Sequence, residues 1–580
     1  MRQAFRRIAP YLAPYRWRYI SGLFFVVLTN IVYLAIPWFL KYAVDGLRQG
    51  VSAARLGLYA ALIVSAAIVQ GVFRFFMRRI LISGSRAVEY DLRNDYFRHL
   101  QRMRFTFFHR HRTGDLMARA TNDLIAVRAA LGPGIMQSWN TITIATTAII
   151  LMTIIDAKLT LFSLAPLPIL SLSVYRAMRG IHRRFLQVQE QYAAISSRAQ
   201  ENISGIRVIR VHSREPHEVK AFASLCHEYV AKNLSLARFT NLLFPLMGLL
   251  AGIAQLIILY LGGREVIEGR VTMGEFVAFI AYLGMLIGPM MALGWVMNLF
   301  QRGSTSLARI GKIMDVEPEE TEGRKEITSL RGRIECSRLT YSYAEGDAPT
   351  ISDVSFTIEP GMKVAVVGPT GSGKTTLLNL IARLLDPPRG TLFIDGHDAR
   401  DIPLSVLRRH IGYVPQETFL FSDTLEGNIA FGVPDAVRGE IEGAADLSAL
   451  VDDIEDFPQR YETIVGERGI TLSGGQRQRT TLARALLYDP TILLLDDAFS
   501  SVDTETEERI LRRFKPAVEG RTHIVVSHRI STVKDADLIV VLDEGRIVEK
   551  GTHDELLERD GLYAAMCKRQ AILEEIEAGP

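Results

Sequence analysis

The chain has 580 residues, of which 48% are hydrophobic and 22% are charged, and its formal net charge is +4. One hydrophobic core does not organise a chain of this length, so several domains are expected. The small net charge and the lack of a lysine-rich tract argue against a nucleic-acid partner. Three cysteines lie far apart, without metal-site spacing, and are expected to be free thiols in a reducing compartment: Cys226, Cys336 and Cys567.

The first 300 residues contain apolar runs long enough to cross a bilayer, which takes about 20 residues. They predict six transmembrane helices, at 19–45, 57–82, 133–155, 158–178, 239–263 and 272–300. Several arginines precede the first run and no small-residue cleavage site ends it, so we expect a retained span and not a signal peptide. The lipid bilayer is therefore a predicted partner.

The loops between these spans alternate in length and charge. Segments 83–132 and 179–238 are long and rich in arginine, whereas the loops on the other side are short. The positive-inside rule places the N-terminus, both long loops and everything after the last span in the cytoplasm, with the chain in the cytoplasmic (inner) membrane.

Both long loops have helical periodicity, which predicts that the membrane helices continue beyond the bilayer. Each loop also holds a patch of helix-breaking residues, at 113–123 and 203–215. Such a patch could turn the chain and present a short helix to a cytoplasmic partner, or it could be a plain hairpin tip.

After the last span, a charged segment containing proline and glycine leads into sequence that alternates strand-like and helix-like runs. We expect a membrane domain at 1–312, a linker at 313–330 and a soluble α/β domain at 331–580.

The apolar run 364–367 predicts a buried strand, and GPTGSGKTT (368–376) follows it directly before a helical segment. This is the spacing of a P-loop. Its glycines let backbone N–H groups wrap phosphates, while Lys374 supplies a positive charge and Thr375 a hydroxyl for Mg²⁺. A predicted strand precedes this motif and a predicted helix follows it, which argues against a chance match. A nucleotide site is therefore predicted.

A second stretch, 472–503, contains a glycine-rich turn, an amphipathic helix, an apolar strand, and then Asp496 and Asp497. Open α/β sheets bind ligands at the carboxyl ends of their strands, where two carboxylates suit a magnesium contact and the handling of a water. An aspartate that caps the following helix is the alternative.

Six motifs occur in a fixed order: GPTGSGKTT, YVPQE, TLSGGQRQR, ILLLDD, SSVD and VSHR. Together with the preceding spans, they make the whole chain resemble the exporter-type half-transporters of the ABC transporter family. The resemblance implies an all-α polytopic membrane domain with six transmembrane helices, followed by an α/β P-loop ATPase domain of the ABC type. It also implies ATP and Mg²⁺ as cofactors.

By this resemblance, Tyr343 stacks on adenine, while Gln416 reaches Mg²⁺ and the attacking water. An edge-strand tyrosine without a ligand role is the alternative for Tyr343, and the neighbouring Tyr341 keeps that alternative open. Asp496 holds Mg²⁺, Asp497 takes the place of the catalytic base, and His528 contacts the γ-phosphate. The remaining ATP-binding residues implied are Gly368, Thr370, Gly371, Ser372, Gly373, Lys374, Thr375, Thr376, Ser473, Gly474, Gly475 and Gln476.

In the family, the turn 473–476 closes on the nucleotide held by the other subunit, so a second half-transporter is an implied partner. Glu467 resembles a contact across subunits near the coupling helices, and 113–123 and 203–215 resemble those coupling helices.

One residue departs from the family pattern, in which glutamate usually follows the strand aspartate. Here the residue is Asp497, whose side chain is one methylene shorter. The resemblance then favours a slow, degenerate site in a heterodimer over a homodimer, although retention of His528 complicates this interpretation.

The predicted function is ATP-driven export of hydrophobic or small amphipathic compounds by alternating access. The alternatives are a homodimeric lipid translocase and an ATP-gated channel or regulator. A soluble DNA-repair ATPase is excluded by the predicted spans.

Overall fold

The computed structural model describes residues 2–323, 327–344, 346–466, 469 and 472–578. Within helices, only the backbone is described for parts of 2–5, 166–178, 243–254 and 573–578, and for 290 and 291. Contacts divide the chain into two compact units. The first comprises Met1–Gln101 and His111–Glu317, and the second comprises Arg102–Arg110 and Pro318–Pro580.

The first unit is helical throughout. Its helices are α1 (Arg2–Leu12), α2 (Arg16–Arg48), α3 (Ala53–Gln101), α5 (Thr113–Ala118), α6 (Leu124–Ala129), α7 (Ile135–Ile155), α8 (Ala157–Leu164), α9 (Pro166–Ser204), α10 (Ile206–Val211), α11 (Glu215–Ile257), α12 (Gly263–Ile267) and α13 (Met273–Met314). Helix α4 (Phe105–Arg110) lies between α3 and α5 in sequence but is part of the second unit. A 3₁₀ turn (Ala13–Tyr15) and three π-helical turns (Arg119–Asp123, Ala130–Gly134 and Ile258–Gly262) connect several of these helices.

Four helical stretches among the described residues are long and apolar enough to cross a membrane: Arg6–Arg48, Ala53–Gln101, Thr113–Ile155 and Met273–Met314. They contain the predicted spans 19–45, 57–82 and 133–155, and all of the predicted span 272–300 except Thr272. The other two predicted spans fall on α8–α9 and on α11, where many side chains lie outside the described set, so the total of six stays a prediction.

Several helices extend well beyond a bilayer, as predicted. Helix α3 has 49 residues, which corresponds to about 74 Å at 1.5 Å per residue, more than twice the thickness of the hydrocarbon core. Helices α9 and α11 pair with each other outside the predicted spans. There Gln191, only 5% exposed, accepts a hydrogen bond from Nζ of Lys232 at 2.8 Å and donates to the carbonyl of Leu225 at 3.1 Å.

The predicted helix break at 113–123 is wrong. These residues are helical, and the chain instead turns at 102–104 and 111–112, on either side of the six-residue helix α4. The reason is tertiary, because Asp123 accepts hydrogen bonds from Ser306 Oγ at 2.8 Å and from Arg309 Nε at 2.9 Å, both on α13. The predicted patch 203–215 does contain a short helix, α10, which ends before Ser213 at a positive φ of 49°.

The second unit contains two sheets. Its strands are β1 (Ile334–Tyr341), β2 (Ile351–Ile358), β3 (Lys363–Val367), β4 (Leu392–Ile394), β5 (His397–Asp398), β6 (Ile411–Val414), β7 (Ile492–Asp496), β8 (Thr522–Val526), β9 (Leu538–Asp543) and β10 (Arg546–Gly551). The smaller sheet is antiparallel in the order β2-β1-β4-β5, and the larger has the order β10-β9-β3-β8-β7-β6.

The helices of this unit surround the sheets. They are α14 (Lys374–Ile381), α15 (Leu404–Arg409), α16 (Leu425–Ile429), α17 (Arg438–Leu447), α18 (Val451–Asp456), α19 (Gly474–Leu487), α20 (Thr504–Ala517), α21 (Ile530–Val533), α22 (His553–Glu558) and α23 (Leu562–Ala578). Short 3₁₀ turns occur at Ala399–Asp401, Ala430–Gly432 and Arg460–Glu462.

The order of the large sheet determines where functional residues meet. Strands β9, β3, β8, β7 and β6 are parallel neighbours, and β3, β7 and β8 are almost completely buried because helices cover both faces. Their carboxyl ends therefore lie at one edge, where the chain continues into 368–376, into Asp497 and into Ser527 and His528.

Candidate functional site

The P-loop (368–376) requires glycine at particular positions. Gly368, Gly371 and Gly373 have φ angles of 150°, 85° and 98°. A Cβ atom on Gly368 would lie 2.0 Å from the carbonyl oxygen of Leu542, and one on Gly373 would lie 2.7 Å from Cδ1 of Ile351. The loop therefore follows a path closed to other residues, and α14 begins within it at Lys374, where the first N–H groups of the helix are available to an anion.

Lys374 is folded back onto its own loop. Its Nζ donates to the carbonyl oxygens of Gly368 at 2.8 Å and Pro369 at 2.7 Å, and it is 3.4 Å from Oγ of Ser372. Burial lowers the pKa of the Lys374 ammonium, while the carboxylates of Asp496 and Asp497 act to raise it. The ammonium is thus held by neutral acceptors. A charged phosphate oxygen is a stronger acceptor and can replace them.

Asp496 is the last residue of β7 and is 1% exposed. Its Oδ2 atom is buried and has no hydrogen-bond partner in the described part of the chain. Burial raises the pKa of this carboxyl, and the Thr375 hydroxyl opposes that rise by hydrogen bonding to the carboxylate. A buried carboxylate oxygen without a partner, next to a hydroxyl, fits Mg²⁺, which takes a few protein oxygens and completes its shell with water and phosphate.

Asp497 follows at a positive φ of 51°, in the left-handed region that aspartate enters more readily than most residues. Its backbone N–H donates to the carbonyl of Val526 at 2.9 Å, which fixes the turn against the end of β8. No described residue forms a hydrogen bond or ion pair with its carboxylate.

One cavity of about 270 Å³ collects most of the predicted site residues. It lies at the carboxyl edge of the large sheet, and it is lined by both aspartates, by most of the P-loop and by His528, two residues after β8. The lining residues are Thr350, Thr370, Gly371, Gly373, Lys374, Thr375, Thr376, Gln416, Asp496, Asp497, Val526 and His528. Positively charged, acidic, amide and imidazole groups from five separate stretches of sequence therefore face one space.

Tyr343 lies beside this cavity but does not line it. The residue is 46% exposed, and its hydroxyl is 3.0 Å from Oγ1 of Thr376, on the first turn of α14. The ring meets Tyr341 edge-on, with centroids 5.5 Å apart. Of these two tyrosines, Tyr343 has the exposed ring, so it is the one available to a flat ligand group.

Two other predicted P-loop residues also lie outside the lining. Gly368 supplies a carbonyl to Lys374, and Ser372 is buried, with its hydroxyl facing the same ammonium. Both residues shape the loop, whereas the cavity is lined by other residues of the loop.

The signature turn (473–476) is a separate feature in this chain. Ser473 caps α19 by accepting from the backbone N–H of Gln476 at 3.2 Å, and the Gln476 side chain accepts from the N–H of Ser473 at 2.9 Å. None of these four residues lines the cavity. The neighbouring Glu467 lies outside the described residues.

The sequence did not indicate three polar side chains that connect the helix after the signature turn, the loop after β7 and the residues after β8. They are Gln478 on α19, Glu507 on α20 and Arg529 directly after His528. Arg529 belongs to the VSHR motif, but its partner Glu507 lies 22 residues away along the chain. No local sequence pattern therefore indicates this pair.

Two family models match the chain. One, described as the ABC transporter transmembrane region, matches residues 19–290, and one described as ABC transporter matches residues 351–500. Among curated proteins, the Multidrug resistance-like ATP-binding protein MdlA of Escherichia coli (strain K12) is 36% identical, with 97% of this chain and 96% of that protein covered.

Two further relatives match at similar levels. The Probable multidrug resistance ABC transporter ATP-binding/permease protein YheI of Bacillus subtilis (strain 168) is 35% identical over 99% of each chain. An ATP-dependent lipid A-core flippase of Aromatoleum aromaticum is 35% identical over 97% of this chain and 95% of its own. A solved bacterial Atm1-family ABC exporter with ATP bound superposes with a TM-score of 0.81 at 29% identity, covering 96% of this chain and 99% of that one.

Proposed function

The chain belongs to the ABC transporter family as an exporter-type half-transporter, and from this premise we propose that it exports amphipathic compounds out of the cytoplasm. It is a multi-pass membrane protein and an ATPase whose hydrolysis drives transport. We further propose that it resides in the cytoplasmic membrane, with the N-terminus and the ATP-binding domain in the cytoplasm. The arginine-rich loops 83–132 and 179–238 support this orientation.

The observation that carries the proposal is the cavity at the carboxyl edge of the large sheet. The P-loop backbone and Lys374 would bind the phosphates, and Tyr343 would stack on the adenine. Asp496, Thr375 and Gln416 would hold Mg²⁺, which supplies charge neutralisation at the phosphates when bound. The buried, unpartnered Oδ2 of Asp496 supports this assignment.

Two further residues would act on the terminal phosphate. Asp497 would orient or deprotonate the attacking water, since it lines the cavity and its carboxylate has no hydrogen-bond partner among the described residues. His528 would donate a hydrogen bond to the γ-phosphate from the carboxyl end of the neighbouring strand, β8. Together with Lys374 they place charge where it develops during phosphoryl transfer.

Half-transporters of this fold act as dimers. The separation of the signature turn from the chain's own cavity supports a site completed by a second subunit. We propose that this subunit is a different half-transporter carrying glutamate at the position of Asp497. The shortened side chain at that position is the reason, and a homodimer is the alternative.

The transported compound is proposed by class only. Relatives are named for multidrug resistance and for lipid A-core flipping, and from these names we infer a substrate with a large apolar part. A small hydrophobic or amphipathic substrate, taken from the inner leaflet or the cytoplasm, is consistent with both.

The test is transport by the purified transporter in inside-out proteoliposomes, with a fluorescent amphipathic cation and a fluorescent phospholipid as separate probes. ATP-dependent uptake of the cation supports the multidrug proposal, and movement of the phospholipid alone supports the lipid translocase. ATP-gated currents without accumulation of either probe would contradict a pump and favour the channel alternative.

Helix α4 is a candidate for transmitting ATP binding to the membrane helices. It comes from the loop after α3, yet its contacts place it in the same compact unit as the ATP-binding domain. Arg104, just before it, forms an ion pair with Asp386 at 3.2 Å, and the carbonyl of Arg102 accepts from the N–H of Glu319 at 2.7 Å. We propose that 102–110, and not 113–123, is the coupling segment of this loop.

Reversing the charge at Arg104 tests this segment. We expect Arg104→Glu to lower the amount transported per ATP hydrolysed by about two- to fivefold, because a partly exposed ion pair contributes up to about 1 kcal/mol. ATP hydrolysis itself should change little. Arg112→Glu is the matched control, since Arg112 is exposed and lies outside α4. An equal loss in both variants would contradict a specific role for 102–110.

Removing the ring of Tyr343 tests the adenine contact. Stacking of an aromatic side chain on a base contributes about 1–3 kcal/mol, so we expect Tyr343→Ala to raise the Kd for ATP about tenfold. Tyr343→Phe should stay within about twofold, because it keeps the ring and loses only one neutral hydrogen bond to Thr376. Equilibrium binding of ATP measures both. A larger effect of Tyr341→Ala would move the assignment to that residue.

A further inference from the structure

Glu507 is a buried carboxylate that the proposed ATPase mechanism does not use. It lies in the first turn of α20 and is 1% exposed, as buried as Asp496. An ionised group at such a position needs a charged or strongly donating partner, because burying it alone is very unfavourable. Its partners are therefore informative.

Among the described residues, all the hydrogen-bond and ion-pair partners of the Glu507 carboxylate come from one stretch of chain, the switch segment (527–532). The Arg529 guanidinium forms an ion pair with Oε2 of Glu507. The hydroxyls of Ser531 and Thr532 both donate to Oε1. The switch segment is thus bound to the start of α20 by three side chains that converge on one carboxylate.

Arg529 also reaches a second element. Its other terminal nitrogen, Nη2, donates to the carbonyl of Val502 at 3.0 Å. Val502 belongs to the connecting loop (500–503), which leads from β7 and Asp497 into α20. One guanidinium therefore holds the connecting loop, α20 and the switch segment together.

His528 lies inside this arrangement, between Ser527 and Arg529. Its side chain is exposed and lines the cavity, and no described residue forms a hydrogen bond with its imidazole. Its backbone neighbours are fixed instead: the N–H of Arg529 donates to Ser527 Oγ at 3.0 Å, and the N–H of Ile530 donates to Gln570 Oε1 at 2.9 Å. The position of the imidazole consequently depends on the contacts of the residue after it.

The connecting loop is tied to the signature turn at its other end. Gln478, one turn into α19, donates to Ser500 Oγ at 2.8 Å and accepts from the N–H of Ser501 at 2.8 Å. A Cβ atom on Gly475 would lie 3.0 Å from the carbonyl oxygen of Ser501. Direct contacts therefore run from the signature turn to the connecting loop and on to the switch segment.

We propose that Glu507 and Arg529 are positioning residues that fix His528 relative to the connecting loop. Because Gln478 joins that loop to the signature turn, binding of a nucleotide at the signature turn would shift His528 in the same chain. This inference rests on the proposed function, in which the cavity and the signature turn serve two different nucleotides. It deepens that proposal by naming the link between them.

The test measures discrimination between ATP and ADP, which a purely stabilising role would not change. The readout is the Kd for ADP divided by the Kd for ATPγS, measured by titration calorimetry on the full-length transporter in nanodiscs. A hydrogen bond to a charged group is typically lost with about a tenfold change in affinity, so His528→Ala should lower this ratio about tenfold. Glu507→Gln, which keeps the shape and removes the charge, should lower it about threefold or more.

The decisive comparison is the double variant. In the His528→Ala background, Glu507→Gln should change the ratio by less than about 1.5-fold, since residues acting through one group are not additive. Glu508→Gln is the matched control and should leave the ratio unchanged. Glu508 is the next residue on α20, and its carboxylate pairs only with Arg512, at 3.3 Å on the exposed surface of the described chain.

A second variant guards against loss of folding. Arg529→Lys keeps the charge beside Glu507 but cannot also reach the carbonyl of Val502, and it should lower the ratio in the same direction. The proposal is overturned if Glu507→Gln and Arg529→Lys leave the ratio unchanged in folded protein, or lower it equally with and without His528. If His528→Ala itself leaves the ratio unchanged, both the link and the proposed contact of His528 with the γ-phosphate are refuted. This outcome differs from the previous one, in which His528→Ala lowers the ratio and the link alone is refuted.

Discussion

Replacing Lys374 with methionine is expected to lower the ATPase rate at least about 100-fold and to abolish ATP-driven transport. Lysine and methionine side chains are similar in length and apolar volume, so the variant removes mainly the ammonium group. Lys374 is 7% exposed and lines the cavity together with Asp496 and Asp497. Each hydrogen bond from a charged donor contributes about 1.5–3 kcal/mol, and Lys374 would make more than one with a phosphate chain.

The same substitution should have a limited effect on folding. The carbonyl oxygens of Gly368 and Pro369 lose their donor, but both lie next to the cavity, where water can replace the ammonium. Nucleotide binding and phosphate release measure the expected loss, and Lys550→Met on the exposed face of β10 is the control. A Lys374→Met transporter that hydrolysed ATP within about tenfold of the parent would contradict the phosphate role.

The parts of the site that short sequence patterns determine were predictable. The P-loop lies between a buried strand and a helix because its glycines, its lysine and the apolar residues before it are adjacent in sequence. The same holds for β7, where four consecutive apolar residues end at Asp496. The order of strands then brings these separate motifs to one edge of the sheet.

The turn in the first long loop was not predictable in the same way. Threonine, glycine, aspartate and asparagine at 113–123 indicated a break, since these residues favour turns when nothing else holds them. The structure keeps them helical because Asp123 is 6% exposed and bound to Ser306, 183 residues away along the chain. A contact over that distance in sequence overrides local preference and moves the break to either side of α4.

The support around His528 was missed for a related reason. VSHR marks the histidine, but neither the pattern nor its spacing indicates that Arg529 turns away from the cavity toward Glu507. The sequence does not indicate that Glu507 on α20 is buried, so its contact with Arg529 could not be predicted. Residues that position a functional group often have this property, because their partners are set by the packing of whole elements.

Replacing Asp497 with glutamate is expected to raise the ATPase rate of this chain's own site, by about 10- to 100-fold. The aspartate carboxylate ends about 1 Å short of a position set for glutamate, and a misplacement of that size can slow a reaction about 100-fold. The chain otherwise retains the site: the P-loop, Asp496, Gln416 and His528 all line the same cavity. Restoring reach should therefore restore much of the rate.

The backbone at this position predicts that the same substitution lowers the stability of the protein. Asp497 has a φ of 51°, and the left-handed conformation costs about 1–2 kcal/mol for most residues, less for aspartate. Glutamate lacks the short side chain that eases this conformation, so we expect Asp497→Glu to lower the Tm of the ATP-binding unit by about 2–4 °C. That cost applies to the folded protein in every state, so it subtracts from stability and not from the rate.

Asp497→Asn separates the two effects. Asparagine tolerates the same φ as well as aspartate but carries no charge, so its Tm should match the parent while its hydrolysis rate falls or stays at the low level. Rates are measured on the full chain in nanodiscs, with the oligomeric state determined by native mass spectrometry. If the parent chain alone hydrolyses ATP as fast as Asp497→Glu, aspartate is a sufficient base, and the reason for proposing a glutamate-bearing partner subunit is gone.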